Sequence, residues 1–175
     1  MKTILNGEQL ALTIERLAYQ LIENHVNANE LVIIGLQPRG VYVSDRIVKV
    51  LQGISHNLKI QYGILDITFY RDDIRKQLHT PNKTHIPFGI ENKQVILIDD
   101  VLWTGRTIRA ALDALLDFGR PAKVELCVLI DRRFSREFPI RADYVGRSID
   151  TFANQKVKVE WREKDNADSV ILLES

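Results

Sequence analysis

Residues 95–107 have the sequence VILIDDVLWTGRT, and this stretch decides the fold. Four apolar residues come first, as expected of a strand that is covered on both faces in a parallel sheet. The adjacent carboxylates Asp99 and Asp100 follow the strand. Apolar residues then recur at helical spacing from Ile108, so we expect a helix to begin near Arg106. The stretch therefore predicts a strand, an acidic pair, a short turn and a helix.

The turn and the acidic pair together predict a site for a phosphorylated sugar. Residues 104–107 (TGRT) place backbone N–H groups and two hydroxyls at a helix N-terminus, where an anion such as phosphate is favoured. Adjacent carboxylates repel each other, and the ring hydroxyls of a 5-phosphorylated ribose supply the donors that keep them ionised. Ligands of open α/β sheets lie beyond the carboxyl ends of the strands. The alternative interpretation is a solvated strand end with a helix cap.

Strand and helix patterns alternate along the rest of the chain. Helices are expected over residues 7–24, 40–51 and 106–118, and strands over 31–36, 59–67, from Val124, near Tyr144, over 157–161 and over 170–173. This alternation predicts an α/β fold with a mainly parallel, twisted sheet flanked by helices. Residues 71–93 are polar and contain Pro81, Pro87 and Gly89, so we expect a long loop there.

Composition predicts one globular domain over residues 1–175. The chain has 175 residues, of which 45% are hydrophobic and 27% charged, with a formal net charge of +1. A nucleic-acid surface would therefore have to be a local basic patch. The single cysteine, Cys127, lies in an apolar run and is expected to be a buried core residue. No signal sequence or membrane-spanning stretch is found, and we expect a cytoplasmic protein.

At residues 95–107 the chain resembles the type I phosphoribosyltransferases, whose motif for 5-phosphoribosyl-1-diphosphate (PRPP) has this order of hydrophobic residues, acidic pair and Thr-Gly-Arg-Thr. Residues 65–73 (LDITFYRDD), 117–121 (DFGRP) and 136–146 (REFPIRADYVG) resemble the PyrR family of bifunctional pyrimidine-operon attenuators and uracil phosphoribosyltransferases. The resemblance implies a type I phosphoribosyltransferase fold with a small hood or flexible loop over about residues 68–93. It implies transfer of phosphoribose from PRPP to uracil, giving UMP and pyrophosphate, by a homodimer or larger oligomer.

The resemblance also assigns roles to individual residues. Asp99, Asp100 and Arg39 would be catalytic, and Mg²⁺ would arrive with PRPP near the two acids. Residues implied to bind PRPP or its phosphates are Pro38, Gly40, Arg71, Val101, Leu102, Trp103, Thr104, Gly105, Arg106 and Thr107. Pro38 stands where the family implies Thr, which leaves the preceding peptide bond open to the cis or trans form.

Asp131 and Arg132 follow another strand and would lie near the nucleobase. Residues 133–135 (RFS) stand where the family implies Gly-His, which leaves the base preference open, with uracil favoured over a purine. A purine or orotate phosphoribosyltransferase is therefore an alternative. No general base can be named.

A second alternative is an RNA-binding attenuation regulator controlled by uridine nucleotides. The family's RNA contacts fall at Arg136, Arg141 and Arg147, which are otherwise ordinary surface arginines. The first predicted helix argues against this role, because the resemblance implies Thr, His and Arg where this chain has Glu15, Tyr19 and Asn24. An added acid and a lost base weaken binding to phosphate. We therefore rank the transferase above the RNA regulator.

Overall fold

Two β-sheets organise the structure, a computed structural model that describes residues 1–54, 57–72 and 83–174. The strands in chain order are β1 (Lys2–Leu5), β2 (Glu30–Leu36), β3 (Lys59–Leu65), β4 (Gln94–Leu102), β5 (Lys123–Arg133), β6 (Tyr144–Asp150), β7 (Gln155–Glu160) and β8 (Ser169–Glu174). The helices are α1 (Gly7–Asn24), α2 (Gly40–Ile54), α3 (Arg106–Leu115) and the short α4 (Arg162–Asp165). A five-stranded sheet has the order β3-β2-β4-β5-β6, and all of its strand pairs are parallel.

Helices cover both faces of this sheet because its central strands are apolar on both sides. Residues 95–98 of β4 are fully buried, with alternate side chains in two separate core clusters. Helices α1 and α2 pack in one cluster and α3 in the other. Helix α1 begins at a capping box in which Asn6 and Gln9 each accept a hydrogen bond from the other's backbone N–H. The site edge of β4 is therefore held from both faces.

The two ends of the chain form a second, three-stranded antiparallel sheet with the order β1-β8-β7. We call it the chain-end sheet. Its buried residues Leu5, Val159 and Val170, and Trp161 directly after β7, belong to the same core cluster as α1 and α2. The Trp161 ring stacks on Tyr42 of α2, with centroids 5.8 Å apart. The small sheet is therefore packed directly against the main body.

The structure and the sequence agree on fold class and differ in several details. The predicted α/β architecture is confirmed, and α1 has the predicted bounds. Strand β3 ends at Leu65 rather than residue 67, α2 continues to Ile54, and α3 ends at Leu115 before a 3-10 turn (Leu116–Phe118). Strand β1 and the separate antiparallel sheet were not predicted, because pairing of the chain ends is not encoded in local periodicity.

Residues 73–82 of the predicted loop lie outside the described residues. Its described flanks include a 3-10 turn (Thr68–Tyr70) and a bridge between Ile64 and His85. None of the helices in the described ranges is long and apolar enough to cross a bilayer.

Candidate functional site

The acidic pair lies at the carboxyl end of the central strand β4 and lines a cavity of about 730 Å³. Asp99 is 7% exposed, and its Oδ1 accepts a hydrogen bond of 2.9 Å from the backbone N–H of Asp100. The Oδ1 of Asp100 accepts one of 2.8 Å from the N–H of Val101. The residues predicted to bind PRPP from Val101 to Thr107 line the same cavity, as do Arg39 and Arg71. Sugar, phosphate and diphosphate ligands would thus meet in one place.

Burial makes both acids hard to ionise. It raises the pKa of Asp99 well above its ordinary value, and the neighbouring charge of Asp100 raises it further, while Arg71 opposes the rise. Burial also raises the pKa of Asp100, against the opposing charge of Arg39. Hydroxyl donors or cations in the cavity would relieve this cost. The pair is therefore prepared for a ligand that brings such groups.

The turn before α3 is shaped by a glycine. Gly105 has a φ of +90°, a left-handed conformation that is costly for residues with a Cβ. A Cβ at this position would also lie 3.3 Å from the Cδ1 of Ile140. The Thr104 hydroxyl accepts a hydrogen bond of 3.3 Å from the N–H of Arg106. The turn therefore brings the N-terminus of α3 to the cavity, as the sequence predicts for phosphate binding.

The Arg106 side chain joins this turn to two other segments. Its Nη1 donates to both carboxylate oxygens of Asp72 at 2.9 and 3.0 Å, and its Nε donates to Glu137 at 2.6 Å. Asp72 lies at the edge of the predicted flexible loop, and Glu137 lies between β5 and β6. The segments around the phosphate turn are thus tied together by one guanidinium.

The loop that contains Pro38, Arg39 and Gly40, which the resemblance assigns to the site, follows β2. The Gln37–Pro38 peptide bond is cis, which decides the geometry left open by the sequence. A Cβ at Gly40 would lie 2.7 Å from the carbonyl oxygen of Ile98 and 2.9 Å from Oδ1 of Asp99, so only glycine fits beside the acids. Arg39 lines the cavity, whereas Pro38 and Gly40 are outside its lining.

Arg39 connects the two sheets. Its Nε lies 3.6 Å from Oδ2 of Asp100, and its Nη2 lies 3.3 Å from Oδ2 of Asp165 in α4. The same Nη2 donates to the carbonyl oxygen of Val159 in β7. The Arg39 guanidinium, which the resemblance implies to be catalytic, is therefore positioned by the chain-end sheet as well as by its own loop.

The chain-end sheet supplies cavity residues that the sequence analysis missed. Lys156, Val157, Lys158 and Val159 of β7 and Leu173 of β8 line the cavity. The sequence predicted a strand over residues 157–161 and gave it no place in the site. No local signal showed that this strand would return to the carboxyl end of β4.

Comparisons with known proteins agree with this geometry. The family model "Phosphoribosyl transferase domain" matches residues 1–164. A curated relative named "Bifunctional protein PyrR" from Elusimicrobium minutum is 45% identical over 174 residues, covering 98% of this chain and 96% of the relative. One of the same name from Desulfosudis oleivorans is 48% identical over 171 residues, covering 97% and 94%.

The chain belongs to the PyrR family. Its fold is also found in the hypoxanthine phosphoribosyltransferase of Trypanosoma cruzi, with a TM-score of 0.75 at 18% identity, covering 99% of this chain and 97% of that one. A hypoxanthine-guanine phosphoribosyltransferase from Bacillus anthracis matches with a TM-score of 0.71 at 20% identity, covering 97% and 96%. The predicted family and the type I phosphoribosyltransferase fold are both confirmed.

The two residues that the PyrR resemblance assigns to the nucleobase separate in the structure. Arg132 is 3% exposed and lines the cavity. Asp131 is outside the cavity lining, and its carboxylate is paired with Arg136. Arg132 therefore lies at the cavity and Asp131 does not, and contact with the nucleobase stays a prediction for both.

The three arginines predicted to contact RNA also differ in their surroundings. Arg136 donates to the carbonyl oxygens of Ile140 and Arg132 at 3.0 and 3.1 Å and also to that of Trp103. Arg141 is exposed, and exposed Arg147 donates to the carbonyl oxygen of Ile4 at 2.8 Å. These bonds favour a structural role for Arg136, and RNA contact stays a prediction for all three.

The two acids of the site fit a Mg²⁺ ion whose other ligands are substrate phosphates and water. Within the described ranges no group of three or more His, Cys, Asp and Glu side chains could hold a metal ion. Asp99 and Asp100 supply carboxylate oxygens at the cavity. Mg²⁺ commonly binds one or two carboxylates together with substrate phosphates and water.

Proposed function

We propose that this member of the PyrR family is a uracil phosphoribosyltransferase, which makes UMP and pyrophosphate from uracil and PRPP. One observation carries the proposal. The largely buried acidic pair, the N-terminus of a helix and four arginines, among them Arg39 and Arg71, line a single cavity at the carboxyl edge of a parallel sheet. The cavity thus combines groups suited to a ribose diol, a 5-phosphate and a diphosphate.

The chain's own residues act by positioning and electrostatics. Asp99 and Asp100 would accept hydrogen bonds from the two ribose hydroxyls, while the amides and hydroxyls of residues 104–107 hold the 5-phosphate. The negative charge of Asp99 and Asp100 would stabilise the positively charged, oxocarbenium-like ring that forms as the bond from C1 to pyrophosphate breaks. Arg39 and Arg71 would draw charge onto the departing pyrophosphate. A uracil nitrogen then forms the new bond to C1 and loses its proton.

Mg²⁺ bound with PRPP would offset the diphosphate charge, and Asp99 and Asp100 would be the residues of this chain that hold it. Burial raises the pKa of both acids, and a nearby cation would favour their ionised forms.

A base screen tests the proposal. Purified protein with PRPP, Mg²⁺ and uracil should release pyrophosphate and form UMP, and guanine, hypoxanthine and orotate should be much poorer substrates. Chromatography of the nucleotide product and a pyrophosphate assay both report the reaction. Turnover of a purine or orotate in preference to uracil would instead support the alternative transferases, and no turnover with any base would favour a binding protein.

RNA attenuation remains a second candidate function because the relatives carry the word "bifunctional" in their names. Exposed Arg141 and Arg147 support a local basic surface, whereas Glu15 and Tyr19 on the exposed side of α1 oppose it. Gel shifts with a pyrimidine-leader hairpin, with and without UMP and at stated salt, test it separately from catalysis. Binding that UMP strengthens would support this function.

We also propose a cytoplasmic homodimer or larger oligomer, which light scattering would test.

A further inference from the structure

The indole of Trp103 has no role in the proposed binding of sugar and phosphates. Its side chain lines the cavity, and the residue is 46% exposed, which is high for a large aromatic residue. Along the chain it stands between Asp100, on the sugar side, and Thr104, on the phosphate side. An indole at this place offers an apolar surface next to two charged subsites.

A guanidinium covers part of this ring. The Cζ of Arg132 lies 4.5 Å from the centroid of the Trp103 ring. Arg132 is itself fixed, because its Nε donates to the Thr151 hydroxyl at 3.0 Å and its Nη2 donates to the carbonyl oxygen of Gln155 at 2.9 Å. The indole therefore packs against a guanidinium that is itself held by two hydrogen bonds. Its remaining exposed surface is presented as a preformed platform.

A flat ring is the ligand that such a platform fits. The base of the product is attached to C1 of the ribose, so it must lie within a few ångströms of the hydroxyls that Asp99 and Asp100 are proposed to hold. The aliphatic side chains of Val157, Val159 and Leu173 line the same cavity and add apolar surface. Bases stack on aromatic side chains whatever their hydrogen-bonding pattern.

We infer that the nucleobase stacks on the indole of Trp103, and that Arg132 positions this indole by packing against its ring. This inference rests on the proposed function and adds a residue to its base subsite. The resemblance implies that Trp103 belongs to the PRPP motif, and its contact with Arg132 indicates this second role.

Steady-state kinetics of W103A and W103F test the stacking. We expect W103A to raise the KM for uracil by roughly tenfold or more, while the KM for PRPP changes little. W103F should restore most of the affinity for uracil because it keeps an aromatic face. F152A is the matched control, since Phe152 is 75% exposed but outside the cavity lining. An unchanged KM for uracil in W103A, or equal rises for uracil and PRPP, would overturn the inference.

A binding measurement separates this inference from the proposed function. Trp161, the other tryptophan, is fully buried, so Trp103 should dominate any change of fluorescence when UMP binds. We expect UMP to quench wild-type fluorescence, and W103F to lose this change while calorimetry still detects UMP. If calorimetry detects no UMP binding and uracil is not turned over, the proposed function itself fails. If UMP binds and W103F keeps the wild-type quenching, only the role of Trp103 is refuted.

Discussion

The acids of β4 lie where the structure makes a negative charge costly. Asp99 and Asp100 are adjacent, largely buried and raised in pKa by that burial. Two buried acids at a strand end lower the stability of the fold, and such a cost is common at functional sites. Replacing both acids by the similarly shaped Asn should therefore reduce turnover while the protein still folds.

The double variant D99N/D100N should lose about 100-fold or more of the turnover, because uncharged amides no longer favour a positively charged sugar ring. Its fold should persist, since Asn can still accept the backbone hydrogen bonds. Initial rates with PRPP and uracil check the first point, and far-UV circular dichroism checks the second. Turnover at the wild-type level would remove the pair from the site.

The stability of the wild type should carry a matching dependence on pH. Because the pKa of Asp99 is raised in the folded state, its contribution to the free energy of unfolding is fully present at pH values below the ordinary pKa of an acid, about 4. This contribution is lost as the pH rises through the raised pKa. We expect the free energy of unfolding of D99N, compared with that of wild type, to increase as the pH is raised from 5 to 8. Urea unfolding at several pH values measures this difference. D113N, at an exposed acid of α3, is the control. A constant difference between D99N and wild type over this range would contradict the assignment.

At the scale of elements, the site depends on contact between a loop of the main sheet and the chain-end sheet. Asp165 of α4 holds Arg39, and it also accepts a hydrogen bond of 3.0 Å from the N–H of Trp161. These bonds keep the pKa of Asp165 below its usual value, so the carboxylate stays charged. Asp168, just after α4, makes a comparable pair with Arg46 at 2.8 Å, but neither residue lines the cavity.

D165N should therefore raise the KM for PRPP by about tenfold, because Arg39 loses the charge that positions it. The KM for uracil should change less, and D165E should restore part of the loss. D168N is the matched control: it removes an ion pair of the same segment and should lower the melting temperature without changing the KM for PRPP. Equal kinetic effects of D165N and D168N would show that the segment acts only through stability.

At the scale of the whole molecule, the main body and the chain-end sheet share one core. Trp161 packs against Tyr42 and Arg46 of α2, and Leu5 and Val170 join the cluster that α1 forms with the large sheet. No separate apolar core would remain for the small sheet if it detached. The cavity between the sheets thus depends on the folding of the entire chain.

We expect a single cooperative unfolding transition. In the W103F background, fluorescence reports Trp161 of the chain-end region, and circular dichroism reports the whole molecule. Urea curves from the two probes should coincide at a fixed protein concentration. An earlier fluorescence transition would show that the chain-end sheet unfolds independently.

Local patterns in the sequence determined much of this protein. The uninterrupted apolar run before Asp99 indicated a strand buried on both faces, and helical spacing after Thr107 located α3. The acidic pair and the Gly105 turn could be placed on one sheet edge because parallel strands align their carboxyl ends. These features depend on residues near one another in the chain, so periodicity and motif spacing were sufficient.

Only the tertiary structure decided how the cavity is completed. The pairing of β1 with β8, the approach of Val159 and Asp165 to Arg39, and the stacking of Arg132 on Trp103 join residues that are distant in sequence. Such contacts arise from strand pairing and side-chain packing, and no local period encodes them. For the same reason the sequence could not separate Asp131, held by Arg136, from Arg132, which lines the cavity.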